Sequence, residues 1–292
     1  MKIILIGAGG QLGSDLMKVL AEEELIPLRH LDADITDFER LKELVCRHKP
    51  DVVIDTAAYH KVDECERNPQ KTFEVNALGT RNVALACKET GSRMVFISTD
   101  YVFNGRKGAP YVETDIPDPI NVYGISKLAG ECFVRNLLDE YFIVRTSGLF
   151  GVAGSSGKGG NFIETMLRLA GANKEIKVVG DQIMSPTYTL ELAKKICELI
   201  KTEEFGLYHI TNNGECSWYD FAGKIFELSG VETNLKRTTT KEFGAPASRP
   251  PYSVLGNGNL QRLGLDDMKA WDEALKAYLQ ERKRRHVTKI QK

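Results

Sequence analysis

Residues 2–13 read KIILIGAGGQLG, an apolar run that stops at glycines and passes directly into a helical pattern. The run has the length of a buried strand, and QLGSDLMKVLAEE behind it carries apolar residues at helical spacing. Glycines between a strand and a helix permit a tight turn and let the backbone approach a pyrophosphate, which the helix N-terminus attracts. The sequence therefore predicts that a dinucleotide binds at this turn. The predicted contacts are Gly7, Gly10, Gln11, Leu12 and Gly13.

Four further apolar runs of strand length alternate with helical patterns in the first half of the chain. They read LIPLR, DVVIDTAA, RMVFIST and YFIVRTS. A repeated strand–helix–strand order predicts an α/β fold of the Rossmann type, with a doubly wound parallel sheet. Ligands of such sheets bind at the carboxyl ends of the strands, so the chemistry is expected there.

The rhythm changes after residue 150, where glycine and serine residues form the loop GVAGSSGKGGN and shorter elements follow. We expect a dinucleotide-binding domain at 1–150, a smaller mixed α/β domain at 151–285 and a basic tail at 286–292. At least one element of the second half, such as the strand GLYHIT, is expected to rejoin the first sheet.

The composition excludes several classes of protein. The 292 residues include 39 basic and 40 acidic side chains, a balance that gives no indication of a nucleic-acid partner. No apolar run approaches the ~18 residues that a membrane span needs. The six cysteines form no C-x-x-C pair, which is typical of reduced thiols in a cytoplasmic protein. No cluster of His, Cys and carboxylates has metal-ligand spacing, so no metal ligand is predicted from the residues.

The end of the second strand predicts the choice of cofactor. Arg29 stands where an arginine accommodates the 2'-phosphate of NADPH, and an acidic residue would bind the ribose of NADH. The alternative is that Arg29 is an exposed loop residue and that Asp32 holds the ribose, which leaves NADH open. Further residues are expected along the cofactor at the adenine edge and after the third strand. They are Asp34, Ile35, Ala57, Ala58 and Tyr59.

Polar residues at the end of the fourth strand and a Tyr–Lys pair predict the chemistry. Thr99 ends RMVFIST, and Tyr123 and Lys127 stand one helical turn apart in NVYGISK. When a nicotinamide reduces a carbonyl, an acid has to donate a proton to the oxygen. A tyrosine can be that acid, and a nearby lysine cation is expected to lower its pKa. The Thr99 hydroxyl can hold the carbonyl in line.

These motifs together resemble the extended short-chain dehydrogenase/reductase superfamily. Within it, the segments AAYHKVDECE, STDYVFNG, NVYGISKLAGE, DQIMSPTY, CSWYDFA and ASRPPYSVL resemble the family of dTDP-4-dehydrorhamnose reductases. The resemblance implies NADPH-dependent reduction of the C4 keto group of dTDP-4-dehydro-6-deoxy-L-mannose to dTDP-L-rhamnose. Related dehydratases follow the threonine with Asp-Glu, whereas Asp100 and Tyr101 follow Thr99 here, so reduction is favoured over elimination.

The resemblance also implies roles for individual residues. Tyr123 is expected to donate the proton and Lys127 to bind the nicotinamide ribose, with Asn76 near the nicotinamide. The 4-keto sugar is expected to contact Thr99, Asp100 and Tyr101. Arg249, inside ASRPPYS, is expected either to meet the substrate pyrophosphate or to lie on a solvated surface.

Some members of the family form homodimers with a divalent cation such as Mg²⁺ at the subunit contact. Asp15 is the position that this chain offers for such a cation, and a homodimer is the expected assembly. Trp218 is expected to pack in the core rather than to stack on a base.

One residue departs from the family pattern. The family reads RTSW after the fifth strand with the tryptophan beside the substrate, whereas this chain reads RTSG and places Gly148 there. A pocket without that indole loses a stacking surface. Two alternatives therefore stay open: a reductase of another nucleotide-linked 4-keto-deoxysugar, and a non-catalytic regulatory subunit of the same fold.

Overall fold

The computed structural model describes residues 1–154, 160–172 and 175–290. The apolar runs form strands and the periodic segments between them form helices, as the sequence predicts. The strands are β1 (Lys2–Ile6), β2 (Glu24–Leu28), β3 (Val52–Asp55), β4 (Arg93–Thr99), β5 (Tyr141–Thr146), β6 (Leu149–Phe150), β7 (Ile176–Val179), β8 (Ile183–Met184), β9 (Thr187–Tyr188), β10 (Gly206–His209), β11 (Cys216–Ser217) and β12 (Leu235–Thr238).

The helices follow the strands in the alternating order that a parallel sheet requires. They are α1 (Gln11–Val19), α2 (Phe38–His48), α3 (Val62–Arg67), α4 (Pro69–Phe73), α5 (Thr80–Thr90), α6 (Val122–Leu137), α7 (Phe162–Gly171), α8 (Thr189–Leu199), α9 (Trp218–Ser229), α10 (Thr240–Phe243), α11 (Gly258–Arg262) and α12 (Trp271–Ile290). A π-helical turn, Glu74–Gly79, joins α4 to α5, and a 3-10 turn, Asp100–Val102, follows β4.

Six strands form one sheet in the order β10-β5-β4-β3-β1-β2, and every neighbouring pair is parallel. Helices α1 and α8 cover one face, and α2, α5 and α6 cover the other. The doubly wound parallel sheet predicted from the sequence is therefore confirmed. Strand β10, which contains the GLYH of the segment GLYHIT, lies at the edge of this sheet beside β5.

The second half adds a smaller mixed α/β unit to the sheet. Three two-stranded pairs, β6–β9, β7–β12 and β8–β11, lie among α7, α9 and α12. Aromatic side chains fill the core of this unit, where the ring of Phe150 contacts those of Tyr188, Phe221 and Tyr278. The basic tail that the sequence suggests continues α12 as far as Ile290. Among the described residues no helix is both long enough and apolar enough to span a bilayer.

Glycine is required where α1 packs against the end of β1. A Cβ on Gly13 would lie 2.3 Å from the carbonyl oxygen of Gly7 and 2.9 Å from the Cα of Ala8. Any larger residue would push the helix away from the turn that it follows. The N-terminus of α1 is thereby held against the carboxyl end of β1.

A buried ion pair ties α6 to the sheet. The guanidinium of Arg145 in β5 donates to both carboxylate oxygens of Glu131 in α6, from Nε at 2.9 Å and from Nη2 at 2.7 Å. The hydroxyl of Ser98 in β4 also donates to Glu131. Both charged side chains are at most 1% exposed. Both groups have lost their contact with water, so the opposite charge of the partner has to compensate each of them.

Glu131→Gln is expected to lower the free energy of unfolding by about 3–5 kcal/mol, because it leaves the Arg145 cation buried without its counter-charge. Urea unfolding followed by circular dichroism measures this loss. The control is Glu43→Gln, which breaks an exposed ion pair with Arg47 on α2 and should cost below about 1 kcal/mol. Equal losses in the two variants would contradict the structural importance of the buried pair.

Candidate active site

A cavity of about 1140 Å³ opens at the carboxyl ends of the strands, where the sequence places the ligand. Its wall begins at the turn between β1 and α1, passes the end of β4 and the start of α6, and closes with residues of the second half. A cavity of this size exceeds the usual volume of a small-molecule pocket and has room for two ligands side by side.

Most of the predicted cofactor residues line this cavity. They are Gly7, Gly10, Gln11, Leu12, Gly13, Arg29, Asp34, Ile35, Ala57, Ala58, Tyr59, Tyr123 and Lys127. The N-terminus of α1 is capped by Gly10 without a side-chain hydrogen bond. The wall therefore combines a helix N-terminus without a side-chain cap with small residues, which suits a pyrophosphate.

Arg29 and Asp32 differ in their surroundings. Arg29 lines the cavity as an exposed side chain, and no ion pair to its guanidinium occurs within the described part of the chain. The Asp32 carboxylate instead accepts a hydrogen bond at 2.8 Å from the backbone N–H of Arg29 and is not part of the cavity wall. Of these two residues, Arg29 is thus the one whose side chain is open to the cavity.

Asp34 lines the cavity near Arg29 as a fixed carboxylate. It accepts hydrogen bonds from the backbone N–H and the hydroxyl of Thr36, at 2.9 and 2.8 Å. Burial acts to raise the pKa of Asp34, but these two hydrogen bonds outweigh it and hold the pKa below its usual value. The group is therefore an ionised acceptor near neutral pH.

Asn76 lies behind the cavity wall rather than in it. It is fully buried in the π-helical turn, and its amide oxygen accepts from the backbone N–H of Tyr59 at 2.8 Å. Its amide nitrogen donates to the carbonyl of Tyr59 and to the hydroxyl of Ser126 in α6, both at 3.0 Å. These hydrogen bonds join the loop after β3 to α6, and the expectation that Asn76 lies near the nicotinamide stays a prediction.

Thr99, Tyr123 and Lys127 face the same cavity. Asn121 caps the N-terminus of α6, and its side chain accepts a hydrogen bond from the backbone N–H of Gly124 at 2.8 Å. The cap fixes the start of the helix two residues before Tyr123. Lys127 is 1% exposed, and its Nζ lies 3.9 Å from the centroid of the Phe96 ring.

The pKa of Tyr123 differs from the expectation that Lys127 lowers it. Burial raises the pKa of Tyr123 above its usual value, the negative charge of Asp100 adds to the rise, and a hydrogen bond with Thr99 opposes it. The phenol is therefore protonated at neutral pH. A protonated phenol is the form that a proton donor requires.

Asp100 is a buried carboxyl at the floor of the site. It is held by the hydroxyl of Thr99 at 3.0 Å and by the hydroxyl of Ser147 at 2.8 Å. Burial raises the pKa of Asp100 to about 6, and hydrogen bonds from Ser253, Ser147 and Thr99 limit the rise. The cavity thus contains a carboxyl group that titrates close to neutral pH.

Tyr101 lies in the cavity wall, whereas Arg249 lies behind it. Tyr101 lines the cavity, and its ring meets the Tyr123 ring edge to face with centroids 6.1 Å apart. Arg249 does not line it: Nη2 lies 3.0 Å from a carboxylate oxygen of Asp63, and Nη1 donates to the carbonyl of Ala247. Arg249 thus forms an ion pair behind Tyr101, and its contact with a pyrophosphate stays a prediction.

Gly148 lines the cavity in a left-handed conformation, with φ of 55°. A Cβ there would lie 2.9 Å from Sδ of Met184 and 3.1 Å from Cα of Pro186. Met184 of β8 also lines the cavity, so the wall beside Gly148 is a flexible thioether. An indole at this position would require both Gly148 and Met184 to move.

Two aromatic residues of the wall were missed by the sequence analysis. Phe162 and Trp218 both line the cavity, and their ring centroids lie 4.7 Å apart. Trp218 was expected only to pack in the core, yet it both contacts Phe221 and borders the cavity. Its position at the first residue of α9, directly after the Ser217 cap, is the signal that could have placed it at a helix end facing a ligand.

Asp15, the position offered for a cation, is buried away from the cavity wall. Its carboxylate accepts from the Thr189 hydroxyl at 2.6 Å and pairs with Lys18. No group of three potential metal ligands occurs among the residues that the structure describes. Residues 155–159 of the loop GVAGSSGKGGN lie outside the described residues.

Comparisons with known proteins agree with this geometry. The family model for the RmlD substrate binding domain matches residues 1–284. The spore coat polysaccharide biosynthesis protein SpsK of Bacillus subtilis is 42% identical, over 96% of this chain and 98% of its own length. A dTDP-4-keto-6-deoxy-D-glucose reductase of Streptomyces niveus is 37% identical, over 93% of this chain and 94% of its own length.

A solved structure is similar over almost the whole chain. The crystal structure of a dTDP-4-dehydrorhamnose reductase from Bacillus anthracis in complex with NADP superimposes with a TM-score of 0.92 at 44% identity. The match covers 96% of this chain and 100% of that one. The chain therefore belongs to the RmlD family, the family of dTDP-4-dehydrorhamnose reductases that its motifs resemble.

Proposed function

We propose that this protein uses NADPH to reduce the C4 keto group of dTDP-4-dehydro-6-deoxy-L-mannose, forming dTDP-L-rhamnose. The observation that carries the proposal is that one cavity contains both the glycine turn of α1 and the side chains of Thr99, Tyr123 and Lys127. The relatives named as dTDP-sugar reductases and the NADP in the similar structure support it.

The residues around the glycine turn fit a phosphorylated dinucleotide. The free N-terminal N–H groups of α1 favour an anion, and the exposed guanidinium of Arg29 lies in the same wall. A guanidinium binds a phosphate with two parallel hydrogen bonds, so Arg29 is the residue that would hold the 2'-phosphate.

In this mechanism, bound NADPH supplies the hydride for the sugar carbon. The Thr99 hydroxyl orients the keto oxygen, and the Tyr123 hydroxyl donates its proton to that oxygen, so the carbonyl becomes an alcohol. The phenol is left with a negative charge as the proton departs. The ammonium group of Lys127, one turn along α6, offsets that charge.

Residues of the second half would hold the sugar nucleotide. Phe162 and Trp218 offer apolar rings for the sugar or the base, and Met184 can adapt its shape beside Gly148. Asp100 and Tyr101 would contact the sugar hydroxyls next to Thr99. The range 151–285 thus serves mainly as the substrate domain in this proposal.

A second candidate keeps the chemistry and changes the sugar. The Streptomyces niveus relative is named as a reductase of dTDP-4-keto-6-deoxy-D-glucose. Gly148 and Met184 leave a wall without the indole of the family pattern, which could admit a 4-keto sugar of the other configuration.

We further propose that the protein acts in the cytoplasm and forms a homodimer. None of the six cysteines, all of which lie in the described part of the chain, takes part in a disulfide, which suits a reducing compartment. Sedimentation analysis tests the assembly directly.

The two sugars can be separated by one experiment. NADPH absorbance is followed after addition of either dTDP-4-dehydro-L-rhamnose or dTDP-4-keto-6-deoxy-D-glucose at equal concentrations. We expect rapid oxidation with the first sugar, at a kcat/KM at least about tenfold higher than with the second. A tenfold difference requires only ~1.4 kcal/mol of contact energy. A preference for the second sugar would establish the second candidate, and tight NADPH binding without oxidation would indicate a regulatory subunit.

Tyr123→Phe is expected to lower kcat by about 10²–10⁴, because the proton donor is lost while the ring remains. Steady-state NADPH oxidation measures kcat, and fluorescence titration is expected to show unchanged NADPH binding. Tyr141→Phe removes a hydroxyl at the amino end of β5, far from the carboxyl edge, and should retain the parent rate. Full activity in Tyr123→Phe would refute the assigned donor.

Arg29→Gln is expected to weaken NADPH binding by about 10- to 100-fold, the value of one hydrogen-bonded charge, and to leave NADH binding almost unchanged. Fluorescence titration with both cofactors measures the two dissociation constants. Arg47→Gln, on the outer surface of α2, is the matched control and should alter neither. A loss of affinity that is equal for NADPH and NADH would show that Arg29 does not read the 2'-phosphate.

A further inference from the structure

A buried carboxylate that the mechanism does not use lies beneath the site. Asp55 is the last residue of β3, is 1% exposed, and accepts one hydrogen bond at 3.0 Å from the backbone N–H of Ala57 to Oδ1. Its Oδ2 is buried without a hydrogen-bond partner in the described part of the chain. A buried oxygen of this kind normally has a partner, so an opposite charge nearby is the expected compensation.

Lys127 lies on the same face of the sheet as Asp55. Asp55 is the register partner of Phe96 across the parallel β3–β4 ladder, so the two side chains share one face of the sheet. Helix α6 covers this face, and Lys127 Nζ lies over the ring of Phe96. Asp55 and Lys127 are therefore buried charges on the same face of the sheet, both next to Phe96.

The two groups influence each other in opposite directions. Burial lowers the pKa of Lys127 to about 8, and the charge of Asp55 is the main opposing cause, followed by Glu131. Burial raises the pKa of Asp55 to about 6, and the charge of Lys127 is the main opposing cause. Each group thus keeps the other ionised near neutral pH.

Other titratable groups around the pair are already engaged or neutral. Glu131, also on α6, is bound by Arg145. Cys87 faces Asp55 from α5, and burial, with the charge of Asp55, raises the pKa of its thiol. Tyr123 is protonated, as described above. Two negative groups, Asp55 and Glu131, act on Lys127. Glu131 already has a cation, Arg145, whereas no cation lies within ion-pair distance of Asp55 among the described residues.

We propose that Asp55 is a positioning residue for the reduction, which keeps Lys127 as an ammonium ion inside the desolvated site. A neutral amine could not offset the charge that forms on the Tyr123 oxygen when its proton leaves. Asp55 touches neither sugar nor nicotinamide in this scheme and acts only through Lys127. The inference rests on the role given to Lys127 in the proposed function.

Asp55→Asn keeps the shape and removes the charge. The single-turnover rate of NADPH oxidation is measured from about pH 5 to about pH 10. Without the charge of Asp55, the ammonium of Lys127 is lost at lower pH, so the alkaline decline of the rate is expected to move down by about one unit. That shift corresponds to about a fivefold loss near pH 8 and less than about twofold near pH 6.

The parent and variant profiles are expected to converge below about pH 6, where protonation removes the charge of Asp55 in the parent as well. A role for Asp55 limited to packing would lower the rate uniformly across the pH range. The matched control is Asp51→Asn, at the opposite end of the same strand region, whose carboxylate accepts from the backbone N–H of Lys2. Its profile should follow the parent. Superimposable profiles of Asp55→Asn and the parent would overturn the proposal.

A second readout is independent of catalysis. Protein labelled with ¹³C at the lysine ε-carbons is titrated by NMR, and the Lys127 signal is assigned by its absence in Lys127→Arg. The Lys127 signal is expected to titrate about one unit lower in Asp55→Asn. An unchanged titration would overturn the inference even in an active enzyme. A shifted titration in a protein that reduces neither sugar would uphold the Asp55–Lys127 coupling and refute the proposed function instead.

Discussion

The active-site geometry depends on the buried contact between Glu131 of α6 and Arg145 of β5. Tyr123, Lys127 and Glu131 are spaced four residues apart, so they lie along one side of the helix. The fork of Arg145 and the hydroxyl of Ser98 fix Glu131 against two strands, and this sets the rotation of α6 about its axis. Tyr123 and Lys127 then have to face the carboxyl edge of the sheet.

The features that were predictable from the sequence are those that local physics determines. Strands buried on both faces must be continuous apolar runs, which is why β1, β3, β4 and β5 could be identified in advance. The glycines of the first turn follow from the closeness of α1 to β1. The Tyr123–Lys127 spacing needs only one turn of helix. The two-residue strands β6, β8, β9 and β11 could not be predicted, because two residues are too few to show a period.

The direction in which a polar side chain points was not predictable. Asn76 and Arg249 have residue types that suit a ligand, yet both satisfy groups of the protein itself. Asn76 binds the backbone of Tyr59, and Arg249 pairs with Asp63, which lies 186 residues earlier in the chain. The Arg249–Asp63 pair forms only when the second half packs on the first, whereas Asn76 and Tyr59 both lie in the first half and meet through its own fold. Trp218 packs against the core as expected, and it also lines the cavity, which the sequence did not show.

Two buried carboxyl groups of the site, Asp55 and Asp100, lower the free energy of unfolding at neutral pH. The pKa of Asp55 and of Asp100 is raised by burial to about 6, above the value near 3.8 of an exposed carboxyl. A raised pKa means that protonation favours the folded state, so this contribution is present in acid and is lost as the pH rises through about 6. At neutral pH each ionised carboxyl then costs on the order of 3 kcal/mol.

A site that required only packing would be more stable with uncharged residues of the same shape. The presence of Lys127 changes that comparison for Asp55, because two opposite buried charges lower each other's cost, and removing one leaves the other uncompensated. In the described part of the chain no cation lies within ion-pair distance of Asp100, which relies on the hydroxyls of Thr99, Ser147 and Ser253. Asp55 is therefore suited to holding a charge in place, whereas Asp100, which lines the cavity and is bound by hydroxyl groups, is suited to accepting hydrogen bonds from a ligand.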